Sequence, residues 1–300
     1  MNIINVSKSL DAQQTKEIIG NFAQKKDYDI LVNKETLAID ENGNELFSFI
    51  PNAIPNDIAR KAYKPLFKAA KHTNNRNTAT KKNSAEYLIK KDGTVSNTRG
   101  VYSQEILSGI VGYFDRYVRT PFCRLTSYTE KENENWQKIV PVIKKIDECY
   151  SKYCPKTYKM QKKIADSSSQ DFVIKNTAFT TGTVNRNWQT AYHRDAANLD
   201  GGMAGMTVIG SGKYDGGYLV FPEYKIAVDI KSTDVIIMNN THLVHGNTKI
   251  IGKLGTYNRI SLVCYFRQGM TKCGTMIEEV ERAKKHGAYI SREIHDDKNS

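Results

Sequence analysis

Gly216-Gly217-Tyr218-Leu219-Val220-Phe221-Pro222-Glu223-Tyr224-Lys225-Ile226-Ala227-Val228-Asp229-Ile230-Lys231-Ser232-Thr233-Asp234-Val235-Ile236-Ile237-Met238 is the stretch whose reading decides the fold. It holds three short apolar runs, 217–221, 225–230 and 234–238, divided by Pro222-Glu223 and by Lys231-Ser232-Thr233-Asp234. Runs of this length, rich in Val, Ile and Tyr and bounded by turn residues, read as strands. The same texture continues at 172–185 and 203–209 upstream and at 257–267 downstream, with Gly210-Ser211-Gly212 and Asp215-Gly216-Gly217 as further turns. Many short strands with Gly-rich turns predict an α+β chain with a double-stranded β-helix (jelly-roll) core flanked by helices, its mouth open to a ligand.

Outside the core the period changes. Residues 9–26 read as a helix with Ile18, Ile19 and Phe22 on one face. Strands follow at Ile30–Val32 and Thr36–Ile39, and the turn Glu41-Asn42-Gly43-Asn44 leads into a third at Leu46–Ile50. Pro55 to Lys71 reads as a basic helix carrying Arg60, Lys61, Lys64, Lys68 and Lys71, with a kink or break at Pro65. His72 to Ser84, which includes Lys81 and Lys82, has no apolar residue larger than alanine and reads as a basic loop. Trp136, Ile139, Val140, Ile143, Ile146 and Tyr150 recur at helical spacing over 135–153, a helix for the outside of the sheet with a kink expected at Pro141. A last helix is expected over 276–283, before a polar tail. The expected organisation is a mixed N-terminal region over 1–84 packing on the core, the jelly-roll domain over 85–275, and a C-terminal helix and tail over 276–300.

Forty-four basic and 32 acidic residues leave a net charge of +12, which suits a polyanionic partner and equally suits a merely lysine-rich composition. No apolar run is long enough to span a bilayer, and Met1 to Lys8 lacks the layout of a signal peptide. A cytoplasmic or nuclear (nucleoid) location is expected, with no membrane partner. Five cysteines, 123, 149, 154, 264 and 273, are odd in number and lack C-x-x-C spacing, so reduced thiols are expected.

The chemistry concentrates in His193-Arg194-Asp195 and His245. On an extended segment residues two apart share a face, so His193 and Asp195 point together. His245 follows 50 residues after Asp195, which allows the hairpins that cross a barrel and return. Two imidazoles and one carboxylate on one face of a metal leave three positions open, the arrangement of non-haem Fe(II) oxygenases. His242 is the competing distal ligand, but its odd separation from His245 puts it on the other face, and His245 is preferred for its place before Gly246-Asn247-Thr248. Arg259 lies in the apolar run 257–263, where a guanidinium is costly unless it holds an anion; the distal carboxylate of 2-oxoglutarate would supply one. Ser261, on the same strand face, could add a donor, and Thr181, Thr183 and Asn185 could hydrogen-bond cosubstrate or substrate. The expected set is His193, Asp195 and His245 for Fe(II), Arg259 and Ser261 for 2-oxoglutarate, with O₂ as the oxidant.

The similarity extends beyond these residues. Residues 178–187 (Ala-Phe-Thr-Thr-Gly-Thr-Val-Asn-Arg-Asn), Thr190-Ala191-Tyr192-His193-Arg194-Asp195, 216–224 and His245-Gly246-Asn247-Thr248 resemble the TET/JBP family of DNA base dioxygenases. The resemblance covers about half of the chain, from Cys123 to Arg267. It implies hydroxylation of the methyl group of a 5-methylpyrimidine in DNA, with 5-methylcytosine placed slightly ahead of thymine. It also implies double-stranded DNA as partner, with the target base flipped into the pocket. A cysteine-rich zinc region like that of animal TET proteins is absent from this sequence. The alternatives are a 2-oxoglutarate-dependent hydroxylase of a protein side chain and a catalytically silent nucleic-acid-binding module.

Overall fold

The computed structural model describes residues 1–73, 76, 79 and 104–287. The first part of the chain forms β1 (Asn2–Val6), α1 (Ala12–Ile18), β2 (Ile30–Val32), β3 (Thr36–Asp40), β4 (Glu45–Ile50), α2 (Asn56–Ala69) and β5 (Lys71–His72). Then come β6 (Leu107–Phe114), β7 (Arg124–Leu125), α3 (Ser127–Lys131), α4 (Asn133–Tyr153) and α5 (Pro155–Ser167). The rest is strand-rich: β8 (Thr181–Arg186), β9 (Ala204–Ser211), β10 (Asp215–Gly216), β11 (Leu219–Phe221), β12 (Ile226–Val228) and β13 (Val235–Met238). β14 (Gly246–Asn247), β15 (Ile250–Ile251), β16 (Asn258–Tyr265) and α6 (Met276–Lys285) complete the chain.

The large sheet runs β1-β3-β4-β13-β9-β16-β8-β6-β5, and a smaller one runs β14-β11-β12-β2. Alternation along each strand assigns the two faces. In β13, Ile236 and Met238 join Phe47, Phe49, Met206 and Val208 in the layer between the sheets, where Leu219, Phe221, Ile226 and Val228 of the small sheet meet them. The Phe47 and Phe221 rings stack across that layer at 5.1 Å. Val235 and Ile237 face the other way, onto α2 and α4. Gly205 allows this close contact: a Cβ there would lie 2.2 Å from the Ile146 side chain of α4. This is a jelly roll with one sheet faced by helices, as the sequence predicts.

Several boundaries differ from expectation. The first helix stops at Ile18, because Gly20 turns left-handed at φ +86° and Ile19 is exposed. Both α2 and α4 run unbroken through Pro65 and Pro141; in α2 the buried row Ala59, Ala62, Leu66 and Ala69 outweighs one lost backbone bond. The strand expected over 172–185 begins only at Thr181, after a turn in which Thr177 N–H donates to the Ile174 carbonyl and Asn176 is left-handed. α5 and β6 were not anticipated. The expectation of reduced thiols is corrected: Cys123 and Cys273 form a disulfide, while Cys149, Cys154 and Cys264 are free. The pair is 150 residues apart in sequence, so only the fold brings it together. Lys81 and Lys82 lie outside the described residues, as does the tail beyond 287. No helix among the described residues is long and apolar enough to cross a membrane.

Candidate metal centre

His193 and His245 face each other across an isolated antiparallel bridge: His193 N–H donates to the His245 carbonyl at 3.0 Å, and His245 N–H returns to His193 at 2.9 Å. Directly opposed residues of such a pair put their side chains on one side, and the two rings sit 4.4 Å apart. Two residues on, Asp195 N–H donates to the Asn240 carbonyl, which returns the Asp195 side chain to the same face. The ligand-capable atoms of His193, Asp195 and His245 all lie within 4.8 Å of one another.

Hydrogen bonds fix how these groups present themselves. His193 Nδ1 meets the Ala191 carbonyl at 2.8 Å and His245 Nδ1 meets the Leu243 carbonyl at 3.0 Å. Each Nδ1–H donates to a carbonyl, which turns both Nε2 atoms toward the shared site. Asn240 Nδ2 donates to Asp195 Oδ2, and Asp195 Oδ1 lies 3.4 Å from His193 Nε2. Burial and the neighbouring His193 push His245 down to about 4, so it is neutral at pH 7. Burial works against the His193 cation, but the Asp195 hydrogen bond and charge outweigh it and raise its pKa. Burial likewise opposes the Asp195 carboxylate, yet its bond to His193 and the charges of both histidines hold its pKa below the ordinary value. Two Nε2 lone pairs and one carboxylate oxygen, each anchored from behind, form a donor set that fits a divalent transition metal.

The three groups line a cavity of about 260 Å³ between the sheets, and Arg259 and Ser261 line it too. Arg259 is buried, and Nη2 donates to the Gly217 carbonyl at 2.9 Å while Nε has no partner among the described residues. Burial lowers its pKa, and among the described residues no carboxylate lies within ion-pairing distance of it. Gly217 makes room: its φ is +68°, and a Cβ would lie 2.8 Å from Arg259 Nε. A buried cation with an open donor fits a ligand carboxylate.

Of the other expected contacts, Thr183 and Asn185 line the cavity, whereas Thr181 does not; its hydroxyl donates to the Tyr113 carbonyl. Thr183 also bonds the Tyr265 hydroxyl at 3.0 Å. His242 is exposed and pairs with Asp200 at 3.2 Å, away from the triad. The sequence reading missed Arg76, Trp188 and Arg267, which also line the cavity. Glu223 was missed as well. It is buried, and its carboxylate accepts from Arg194 Nη2 at 3.1 Å and from Val244 N–H at 2.9 Å, thereby joining the two segments that carry the histidines. Its only sequence signal is its place in the 216–224 stretch. The basic residues of α2 are exposed, but α2 packs on the face of the large sheet opposite the cavity.

Comparison with known proteins adds to this geometry. Residues 109–268 match the Tet_JBP model, described as the oxygenase domain of the 2OGFeDO superfamily. A bifunctional helicase and thymine dioxygenase JBP2 of Trypanosoma brucei brucei is 29% identical over 93% of this chain and 24% of its own length. The thymine dioxygenase JBP1 of the same organism is 35% identical over 59% of this chain and 21% of its own. This chain therefore spans about a quarter or less of those relatives. Among solved structures, NgTET1 in complex with 5mC DNA superposes with a TM-score of 0.59 at 14% identity, covering 95% of this chain and 91% of that one, a likeness of fold. With a matched segment of 160 residues that holds the triad and Arg259, the chain belongs to the TET/JBP family of the 2-oxoglutarate- and Fe(II)-dependent oxygenase superfamily.

Proposed function

We propose that the chain hydroxylates the methyl group of thymine in DNA, with His193, Asp195 and His245 holding Fe(II) and Arg259 holding 2-oxoglutarate. The base assignment rests on one observation: the curated relatives at 29% and 35% identity are named thymine dioxygenases. That moves the expectation from 5-methylcytosine to thymine. Fe(II), 2-oxoglutarate and O₂ accompany membership in the superfamily. When bound, the metal with its cosubstrate supplies the oxidising power that a C–H bond of a methyl group requires.

The protein's own residues supply position and exclusion. The Nε2 atoms of His193 and His245, with a carboxylate oxygen of Asp195, would hold the metal and leave its remaining positions to cosubstrate and O₂. Arg259 Nε and the Ser261 hydroxyl would orient the cosubstrate's distal carboxylate, since Nη2 is already committed to Gly217. Val263, Met206 and Leu219 line the cavity with apolar surface that keeps water from the reacting carbon.

Incubating the chain with Fe(II), 2-oxoglutarate and DNA carrying both thymine and 5-methylcytosine, then analysing nucleosides by mass spectrometry, tests the reading. 5-Hydroxymethyluracil is expected. 5-Hydroxymethylcytosine alone would reassign the base, and turnover on peptides with neither product would overturn the DNA reading.

A further inference from the structure

Arg259 and Arg267 both line the cavity, eight residues apart on or just beyond β16, which is on the order of 25 Å along an extended chain. If Arg259 receives the cosubstrate, the far end at Tyr265 and Arg267 is left for the substrate. Arg267 Nε is tied there to Asp115 Oδ1 at 2.7 Å. Immediately after Asp115 the chain makes a tight hairpin, with Tyr117 N–H to the Thr120 carbonyl and Thr120 N–H to the Tyr117 carbonyl, both 2.9 Å. Its tip is apolar and open: Tyr117 is 67% exposed and Val118 90%. Arg119, beside them, is also exposed.

The base of this hairpin is braced from several sides. Arg116 pairs with Glu279 of α6, whose carboxylate also takes the Cys123 N–H at 2.7 Å. Cys123 is bonded to Cys273, and the Arg124 guanidinium lies over the Phe114 ring at 4.9 Å. An isolated exposed apolar residue needs no explanation. An apolar tip held on a rigid base at the substrate end of a cavity is a different matter. Leu254 gives the contrast: it is 85% exposed, but its turn lies between Gly252 and Gly255 and is closed, among the described residues, by Thr256 to Lys253.

Resting on the DNA reading above, we infer that the Tyr117–Thr120 hairpin is a wedge that enters the base stack of duplex DNA as the target base swings into the cavity. A base leaving the helix uncovers apolar faces on its neighbours, and an aliphatic side chain inserted there covers them. Val118 has the shape and exposure for that role. Arg119 adjoins the phosphates, where a cation is favoured. Single-stranded DNA has no paired helix to hold the target base in place, so the wedge matters for duplex alone.

The test uses the full chain and a thymine-containing duplex with 2-aminopurine beside the target base, whose fluorescence rises on unstacking. Wild type is expected to raise the signal severalfold and Val118→Asp to suppress most of that rise. The duplex-to-single-strand ratio of kcat/KM should fall about tenfold or more in Val118→Asp. Val118→Leu should recover the ratio, and Leu254→Asp should behave as wild type. A Val118→Asp chain with wild-type fluorescence and ratio, or one equally impaired on both DNA forms, overturns the wedge alone. A wild-type chain inert on both forms overturns the DNA reading and the wedge with it.

Discussion

Glu223 carries more of the site's geometry than its place outside the His193–Asp195–His245 cluster suggests. One carboxylate oxygen holds Arg194, between His193 and Asp195, and the other holds Val244 N–H, next to His245. Glu223→Gln keeps an acceptor for Val244 and loses the ionic partner of Arg194. It should therefore weaken Mn(II) or Co(II) binding to the metal-free chain about tenfold by calorimetry. His242→Ala, on an exposed residue, should leave that affinity within about twofold. Unchanged affinity in Glu223→Gln would reduce the residue to a folding role. Arg259→Lys should raise the 2-oxoglutarate requirement about tenfold or more while sparing metal affinity, because an ammonium lacks the planar fork. The gathering of His193, Asp195 and His245 and the burial of Arg259 were legible because strand periodicity and a charge in an apolar run leave marks in sequence. Glu223 was not, since a glutamate after a proline reads as an ordinary turn.

Among the elements, α6 is fixed by a buried carboxylate. Glu279 is fully buried and accepts from Arg116, Cys123 N–H and Gly274 N–H. Burial opposes its charge, but these partners outweigh burial and hold its pKa below the ordinary 4.5. A folded pKa that is depressed gives stability present above the unfolded value and lost as pH falls through the folded one. Wild type should thus lose stability below about pH 4.5 more steeply than Glu279→Gln, which should itself unfold about 2–3 kcal/mol more easily at pH 7. Parallel melting curves at both pH values check this; identical slopes would contradict it. Reducing Cys123–Cys273, or replacing Cys273 by Ser, should lower stability by about 2–4 kcal/mol in urea titration. Of the elements missed from sequence, α5 buries Gln161 beside Ala165, which weakens its apolar stripe. β6 contains Gly109 and Gly112; the first is required because a Cβ would lie 2.0 Å from the Ala69 carbonyl oxygen. Both elements are set by tertiary fit, to which local pattern is blind.

For the molecule as a whole, the N-terminal segment belongs to both sheets. β1, β3 and β4 extend the large sheet beyond β13, and β2 runs parallel to β12 in the small one. The jelly roll was legible because its strands are short and separated by clear turns; the joining of these first strands to it was not, since pairing partners lie nearly 200 residues apart. The same layering tells where the +12 charge can act. The lysines of α2 face away from the cavity, so Lys64→Ala with Lys68→Ala should change affinity for a short thymine duplex by no more than about twofold. Arg119→Ala should weaken it more and flatten its salt dependence by about one phosphate contact. Affinities measured across a salt series decide between the two surfaces.

The bridge between His193 and His245 consists of two backbone hydrogen bonds, joining segments 52 residues apart. An ion coordinated by both imidazoles would tie the same two segments a second time, as a cross-link that closes with loading and opens with release. Metal content and local breathing then become one quantity. The amide protons of His193 and His245 would exchange with solvent on the timescale of metal dissociation, so that deuterium uptake at those two positions reads out occupancy in a chain carrying out no turnover at all.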